Sequence, residues 1–271
     1  MARRFLGSLA ISALYGPMPV PEAIARCREV LALAADDRKA TALAELAIAH
    51  LEAMRGELAQ ARVLYRKSRA SLEEFGWTLF AALTSLDSAF VELLAGDLHA
   101  AEEELRTDYE ALEQMGERNY ISTTAGLLGE VLYRQGRYEE SSRFASICEE
   151  VASSDDVASQ FLWRCVRGKL LARAGSYEEG EATVAEAVAL LVPSDQLDWQ
   201  GNGLMDLAEV RWLGQNHSAA AAAFEEASAL FERKGNVVSA RQAAMLAEAA
   251  RTGKASDEAG VDVSASTVAR A

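Results

Sequence analysis

Proline is nearly missing from this chain: four residues in 271, three of them (Pro17, Pro19 and Pro21) within five positions. Aromatic residues make up only 7%, and Ala and Leu supply most of the apolar half. Ala, Leu, Glu and Arg lose little rotamer freedom in a helix, and proline is what interrupts one. The composition therefore favours long helices, and the length is ample to bury a core without staples.

Cysteine is equally sparse. Cys27, Cys148 and Cys165 are an odd count with no C-x-x-C spacing, which argues against a disulfide framework and fits a reducing cytosol. Basic residues are in deficit, 27 Lys and Arg against 41 Asp and Glu, for a formal net charge of −14. Phosphate backbones and anionic lipid repel such a chain, so neither nucleic acid nor a membrane is expected as a direct partner. No run reaches 18 consecutive apolar residues, so no membrane span is expected. Together these features lead us to expect a soluble, cytoplasmic protein. The start, Met1-Ala2-Arg3-Arg4 before Phe5 to Ile11, has the basic and apolar parts of a signal peptide. No clean small-x-small cleavage site follows, and the stretch reads as a first helix ending at Tyr15-Gly16.

Catalytic motifs are missing too. Gly168-Lys169 and Gly253-Lys254 lack the upstream glycine and following Ser or Thr of a phosphate loop. Gly201-Asn202-Gly203 has no third glycine and no β-α-β context. There is no H-E-x-x-H and no G-x-S-x-G. His50, His99 and His217 lie far apart, with nothing in their spacing that requests a metal. Acidic runs such as Glu102-Glu103-Glu104 read as solvated helix faces. We expect no enzyme activity, no cofactor and no metal.

What is present is a repeat. Gly56, Gly96, Gly136, Gly175 and Gln215 mark turns spaced 40, 40, 39 and 40 residues apart. Seven residues before each marker stand Ala49, Ala89, Gly129, Gly168 and Ala208; five after stand Ala61, Ala101, Ser141, Gly180 and Ala220. Small residues at both places let two antiparallel helices approach across a turn, while larger neighbours at helical spacing fill the seam. Twelve residues after the markers, Asp108 breaks an otherwise small or apolar series and is expected where the seam frays.

The periodicity predicts helices near 4–15, 21–34, 40–55, 58–75, 78–95, 98–114, 118–135, 138–152, 156–174, 177–191, 198–213, 217–233 and 237–251. Pro21 suits a first helical turn, and Asp155 and Asn236 are the expected N-caps. The last helix has no partner of its own and reads as a cap over the final pair. Residues 253–271 are small and polar, and are expected to be a disordered tail.

The order small residue, turn, aromatic or Leu, small residue, then an apolar-and-Ala pair resembles the tetratricopeptide repeat (TPR), as in Ala208…Gln215-Asn216-His217…Ala220…Phe224…Ala227. Five copies span about residues 40 to 234, and a degenerate sixth lies upstream, with Gly16 to Pro21 as its turn and Ala23…Cys27…Val30 following. The 39–40-residue period exceeds the standard 34 and resembles variant repeats in large bacterial signalling proteins. The resemblance implies an all-α fold, an α-solenoid of antiparallel helix pairs over residues 1–252. It further implies a concave face lined by the first helix of each pair. By register that face would carry His50, Phe90, Glu130, Tyr133, Arg134, Lys169, Glu209 and Trp212. Such a mixed aromatic and charged strip suits recognition of a protein or peptide.

The N-terminal stretch from Phe5 to Ile24 is similar to the C-terminal helical regions of bacterial ATPase-linked nucleotide cyclases and LuxR-type regulators. That similarity implies a sensor or docking arm, with Phe5 and Leu9 exposed as an N-terminal interface for self-association or for a partner domain. The leading expectation is thus a non-catalytic regulatory or scaffolding module in signalling or transcription control. The alternatives are a small-ligand sensor, or the detached arm of an ATPase- or cyclase-type regulator.

Overall fold

The computed structural model describes residues 6–34 and 37–252; Phe5 and the 253–271 segment lie outside them. The described residues form helical pairs and no strand. The pairs are α1 (Leu6–Tyr15) with α2 (Val20–Leu33), α3 (Arg38–Met54) with α4 (Leu58–Glu74), and α5 (Thr78–Ala95) with α6 (Leu98–Met115). Next come α7 (Asn119–Arg134) with α8 (Tyr138–Val151), α9 (Val157–Arg173) with α10 (Tyr177–Leu191), and α11 (Leu197–Leu213) with α12 (His217–Lys234). A thirteenth helix, α13 (Val237–Thr252), follows. Helix ends fall within two residues of the sequence expectation, the usual scatter for frayed termini.

The register holds at the turns. Gly56, Gly96, Gly136 and Gly175 have φ of 88°, 75°, 75° and 91°, and Gln215 has φ of 63°. The fifth hairpin therefore bends at Gln215, not Gly214, and a glutamine carries the left-handed backbone that ends the other first helices on glycine. The small residues meet as the spacing requires. Ser141 Oγ donates to the Gly129 carbonyl at 2.7 Å. A Cβ on Gly168 would sit 2.7 Å from the Gly180 carbonyl oxygen, so α9 and α10 touch backbone to backbone. Ala89 and Ala101 are both fully buried in one core.

Within each of these pairs the two helices have different jobs. On α4 only Ala61, Tyr65, Ser68 and Leu72 are buried, one stripe at helical spacing, as an outer helix requires. On α3, burial is continuous from Ala44 to Met54, because α3 packs against α1, α2, α4 and α5. α5 packs against both α3 and α7, and α9 against both α7 and α11, so first helices form the inner layer. By length and mean hydropathy (1.4) α5 would suffice to cross a membrane; here that apolarity serves an inner helix with neighbours on both sides.

The solenoid closes on itself. Lys234 Nζ, at the end of α12, lies 2.5, 2.7 and 3.1 Å from the carbonyl oxygens of Leu14, Gly16 and Met18. An ammonium placed on carbonyls at a helix C-terminus satisfies acceptors that α1 leaves free. Tyr15 donates to Asp87 on α5 at 3.1 Å, and α13 touches α3 as well as α12. The last helix thus bridges toward the start of the chain, beyond the cap that the sequence suggested.

Two expectations need correction. The cap of α9 is Asp156, whose carboxylate accepts from the Ser159 N–H at 3.1 Å, while Asp155 pairs with Ser153 outside the helix; Asn236 does cap α13, accepting from Ser239 N–H at 3.0 Å. Asp108 does not mark a frayed seam. It is 1% exposed and accepts from Thr124 at 3.0 Å, while its other oxygen has no partner. Burial pushes its carboxyl up to about 7, against the pull of that hydrogen bond.

Candidate functional site

The inner helices, with α12 and α13, line a partly open cavity of about 120 Å³. An apolar cavity of about 150 Å³ holds benzene, so this one suits a small molecule or a single side chain. Each wall follows from helical periodicity. α11 presents the adjacent Asp198 and Trp199, then Asn202, Asp206 and Glu209 at steps of three or four; α13 presents Val238, Gln242 and Leu246; α7 contributes Leu127, Glu130 and Arg134.

Of the residues expected on the concave face, His50, Phe90, Glu130, Arg134 and Glu209 line this cavity. Lys169 and Tyr133 sit just behind it, 1% and 0% exposed. Lys169 donates to Glu130 Oε2 at 2.5 Å and to Asp206 Oδ1 at 2.6 Å, and Arg134 donates to Glu130 Oε1 at 2.6 Å. Tyr133 donates to Glu209 Oε1 at 2.5 Å and accepts from Arg173 at 2.7 Å. These bonds join α7, α9 and α11, so much of the charged strip ties repeats together. Trp212 stands apart, packed on Phe224 and edge-on to His217 in the α11–α12 seam. Leu9 on α1 is exposed at 38%.

Electrostatics follow from burial. Burial opposes charge on Glu130, but Lys169 and Arg134 outweigh it and bring the carboxyl down to about 2. For Lys169 burial is likewise overcome, here by Asp206 and Glu130, which hold the ammonium charged. Glu209 goes the other way: burial dominates and pushes it up to about 7 despite Lys169 and the Tyr133 hydroxyl. Asp198 and Asp206 are raised by burial as well. One end of the network is thus compensated and the other is acid-rich.

Sequence reasoning missed Asp198, Trp199, Asn202 and Asp206. The signal was there in the steps of three, seven, ten and eleven residues back from Glu209 along one helix face. The contribution of α13 had no such signal, since only closure brings it over the cavity. Burial pushes the thiols of Cys27 and Cys148 up to about 11 and about 12, and raises that of cavity-lining Cys165, far from the thiolate a nucleophile needs. Among the described residues no three His, Cys, Asp or Glu side chains are grouped to hold a metal.

Fold and cavity define the class: an all-α solenoid of TPR-like helix pairs. No protein-family model and no curated protein matches the sequence. The solved structure of BtubC (BKLC) from P. vanneervenii is similar over 83% of this chain and 90% of its own, with a TM-score of 0.54 and 14% identity. A Signal Transduction ATPase with Numerous Domains (STAND) protein with a tetratricopeptide repeat sensor, from Pyrococcus horikoshii, is similar over 84% of this chain, with a TM-score of 0.51 and 18% identity. This chain spans only 35% of that second protein. At such identities the likeness is one of fold.

Proposed function

We propose that residues 1–252 act as one non-catalytic TPR-like module that binds another protein, in a regulatory or scaffolding role within bacterial signalling or transcription control in the cytoplasm. The observation that carries this reading is the inner layer itself. Lys169 and Arg173 of one repeat pair with Glu130 and Glu209 of its neighbours, and the thiols of the described residues are buried, a construction that suits a scaffold. The test is site-specific photo-crosslinking from exposed positions such as Trp77, Met115 and Val192 in the source cell, then rebinding with purified components. One protein captured at neighbouring positions that rebinds with a Kd of about 10 µM or tighter supports the reading. Failure to crosslink or to rebind removes it.

A second reading, a small-ligand sensor, is favoured by the cavity between the inner helices and α13, and the tetratricopeptide repeat sensor of the Pyrococcus protein agrees with it. A sensing arm of an ATPase- or cyclase-type regulator would have this construction. A ligand of the folded state raises the melting temperature by mass action, so a thermal-shift screen of nucleotides, sugars and amines checks this reading separately.

A further inference from the structure

Four rings form a continuous wall of the cavity. His50 stacks on Phe90, with centroids 5.2 Å apart and planes 19° apart. Phe90 meets Trp199 at 6.2 Å, and Trp199 meets Phe161 at 5.5 Å. The polar groups that share the cavity with this wall are mostly acceptors. Both hydrogen bonds to Glu209, from Tyr133 and from Arg173, end on Oε1; Oε2 takes none among the described residues, although Glu209 is only 5% exposed. His50, 3% exposed, directs Nδ1 at Asp87 at 3.4 Å. Asp87 also accepts from Tyr15, so the imidazole hydrogen belongs on Nδ1 and Nε2 keeps its lone pair. Nε2 has no partner. Asp198 and Asp206 add two further carboxylates to the lining.

The lining cation Arg134 is already committed to Glu130, and so is Lys169 behind it. An occupant that satisfies Glu209 Oε2 and His50 Nε2 must therefore bring N–H donors, and a positive charge on it would complement a lining in which Glu130, Asp198, Asp206 and Glu209 outnumber the one cation, Arg134. Aromatic faces attract the same kind of group. An anion or a pure acceptor would leave those lone pairs facing its own.

We infer that the cavity is a site for an organic cation: an ammonium, amidinium or guanidinium group on a flat apolar body, held by Glu209 and His50 against the wall of Phe90, Trp199 and Phe161. This rests on the sensor reading and supplies its ligand class. Either a free amine or the basic side chain of a peptide brings this chemistry.

Calorimetry and thermal shift on the full chain test it with benzamidine and phenethylammonium, with a ten-residue peptide carrying one central Arg, and with the isosteres benzamide and benzoate. At least one cation is expected to bind ten or more times tighter than benzamide, with no binding of benzoate; whether the amines or the peptide win identifies the source. Glu209→Gln, which keeps the shape, should weaken that cation at least tenfold with the helical circular dichroism unchanged. Gln242→Trp, on the α13 side of the cavity, should abolish binding by filling it. Equal binding of cation and neutral isostere, no binding by any cation, or Glu209→Gln and Gln242→Trp variants that bind as before would each overturn the inference. If the cations fail but sugars or nucleotides still raise the melting temperature, the sensor reading survives without this ligand class; if nothing does, both fall.

Discussion

The ammonium of Lys234 lies 2.5 Å from the carbonyl oxygen of Leu14, 220 residues earlier in the chain. That bond and its neighbours turn a stack of hairpins into a closed body, because the end of α12 supplies donors to the end of α1. Burial lowers the Lys234 pKa, and the nearby Asp198 carboxylate opposes that shift.

Lys234→Met is expected to cost on the order of 2–4 kcal/mol, since a buried charge-assisted set is lost and the carbonyls are left without donors. Urea denaturation measures the loss. Limited proteolysis should show α1 and α2 cleaved before α5 to α10; a uniform cleavage pattern would mean that the closure does not depend on this residue.

Gly168→Ala should destabilise by about 1–3 kcal/mol, because the new methyl group meets the Gly180 carbonyl in a seam with no slack. Gly76→Ala makes a useful contrast. No atom lies near its added Cβ, so only the strain of its left-handed backbone remains, on the order of 1 kcal/mol.

Asp108 gives the fold a pH dependence of known sign. Its carboxyl titrates near 7 in the folded chain, above its usual value, so the folded state holds a proton that the unfolded state has already lost. Stability is full below pH 4 and falls as the pH rises through 7; Glu209, also raised to about 7, adds to the same trend. Asp108→Asn should leave stability nearly unchanged at pH 4 and add about 4 kcal/mol at pH 8. Melting curves at the two pH values check this, and an equal gain at both would refute the titration.

Leu9 is exposed beside Ser8 on α1, while Leu6, Ala10, Ala13 and Leu14 of that helix are buried. If this end of the stack is a self-association surface, Leu9→Asp should lower the dimer fraction at least tenfold in sedimentation velocity. A monomer with or without the substitution would leave the N-terminal interface without a basis.

Much of the repeat geometry was readable because it is local. The meeting of Ala89 with Ala101, or of Gly168 with Gly180, is fixed by twelve residues of chain and one turn. Outer-helix stripes such as Ala61, Tyr65, Ser68 and Leu72 are fixed by 3.6-residue periodicity alone. Asp155 resembles the α9 cap in sequence because two adjacent aspartates compete there and only backbone direction selects Asp156. Asp108 resembles a surface residue because nothing local marks a buried carboxyl whose hydroxyl partner, Thr124, stands on the next helix.

Helix positions, their pairing and the interval at which pairs recur are written in side chains a few residues apart. Closure of the stack, the seat of α13 over the inner layer, and the meeting of Tyr133 with Glu209 across 76 residues emerge only in the folded chain. Those outcomes depend on a small rotation between successive pairs, summed over the whole stack. No local window contains that sum, so a change of a few degrees per pair would leave every hairpin intact and the cavity open.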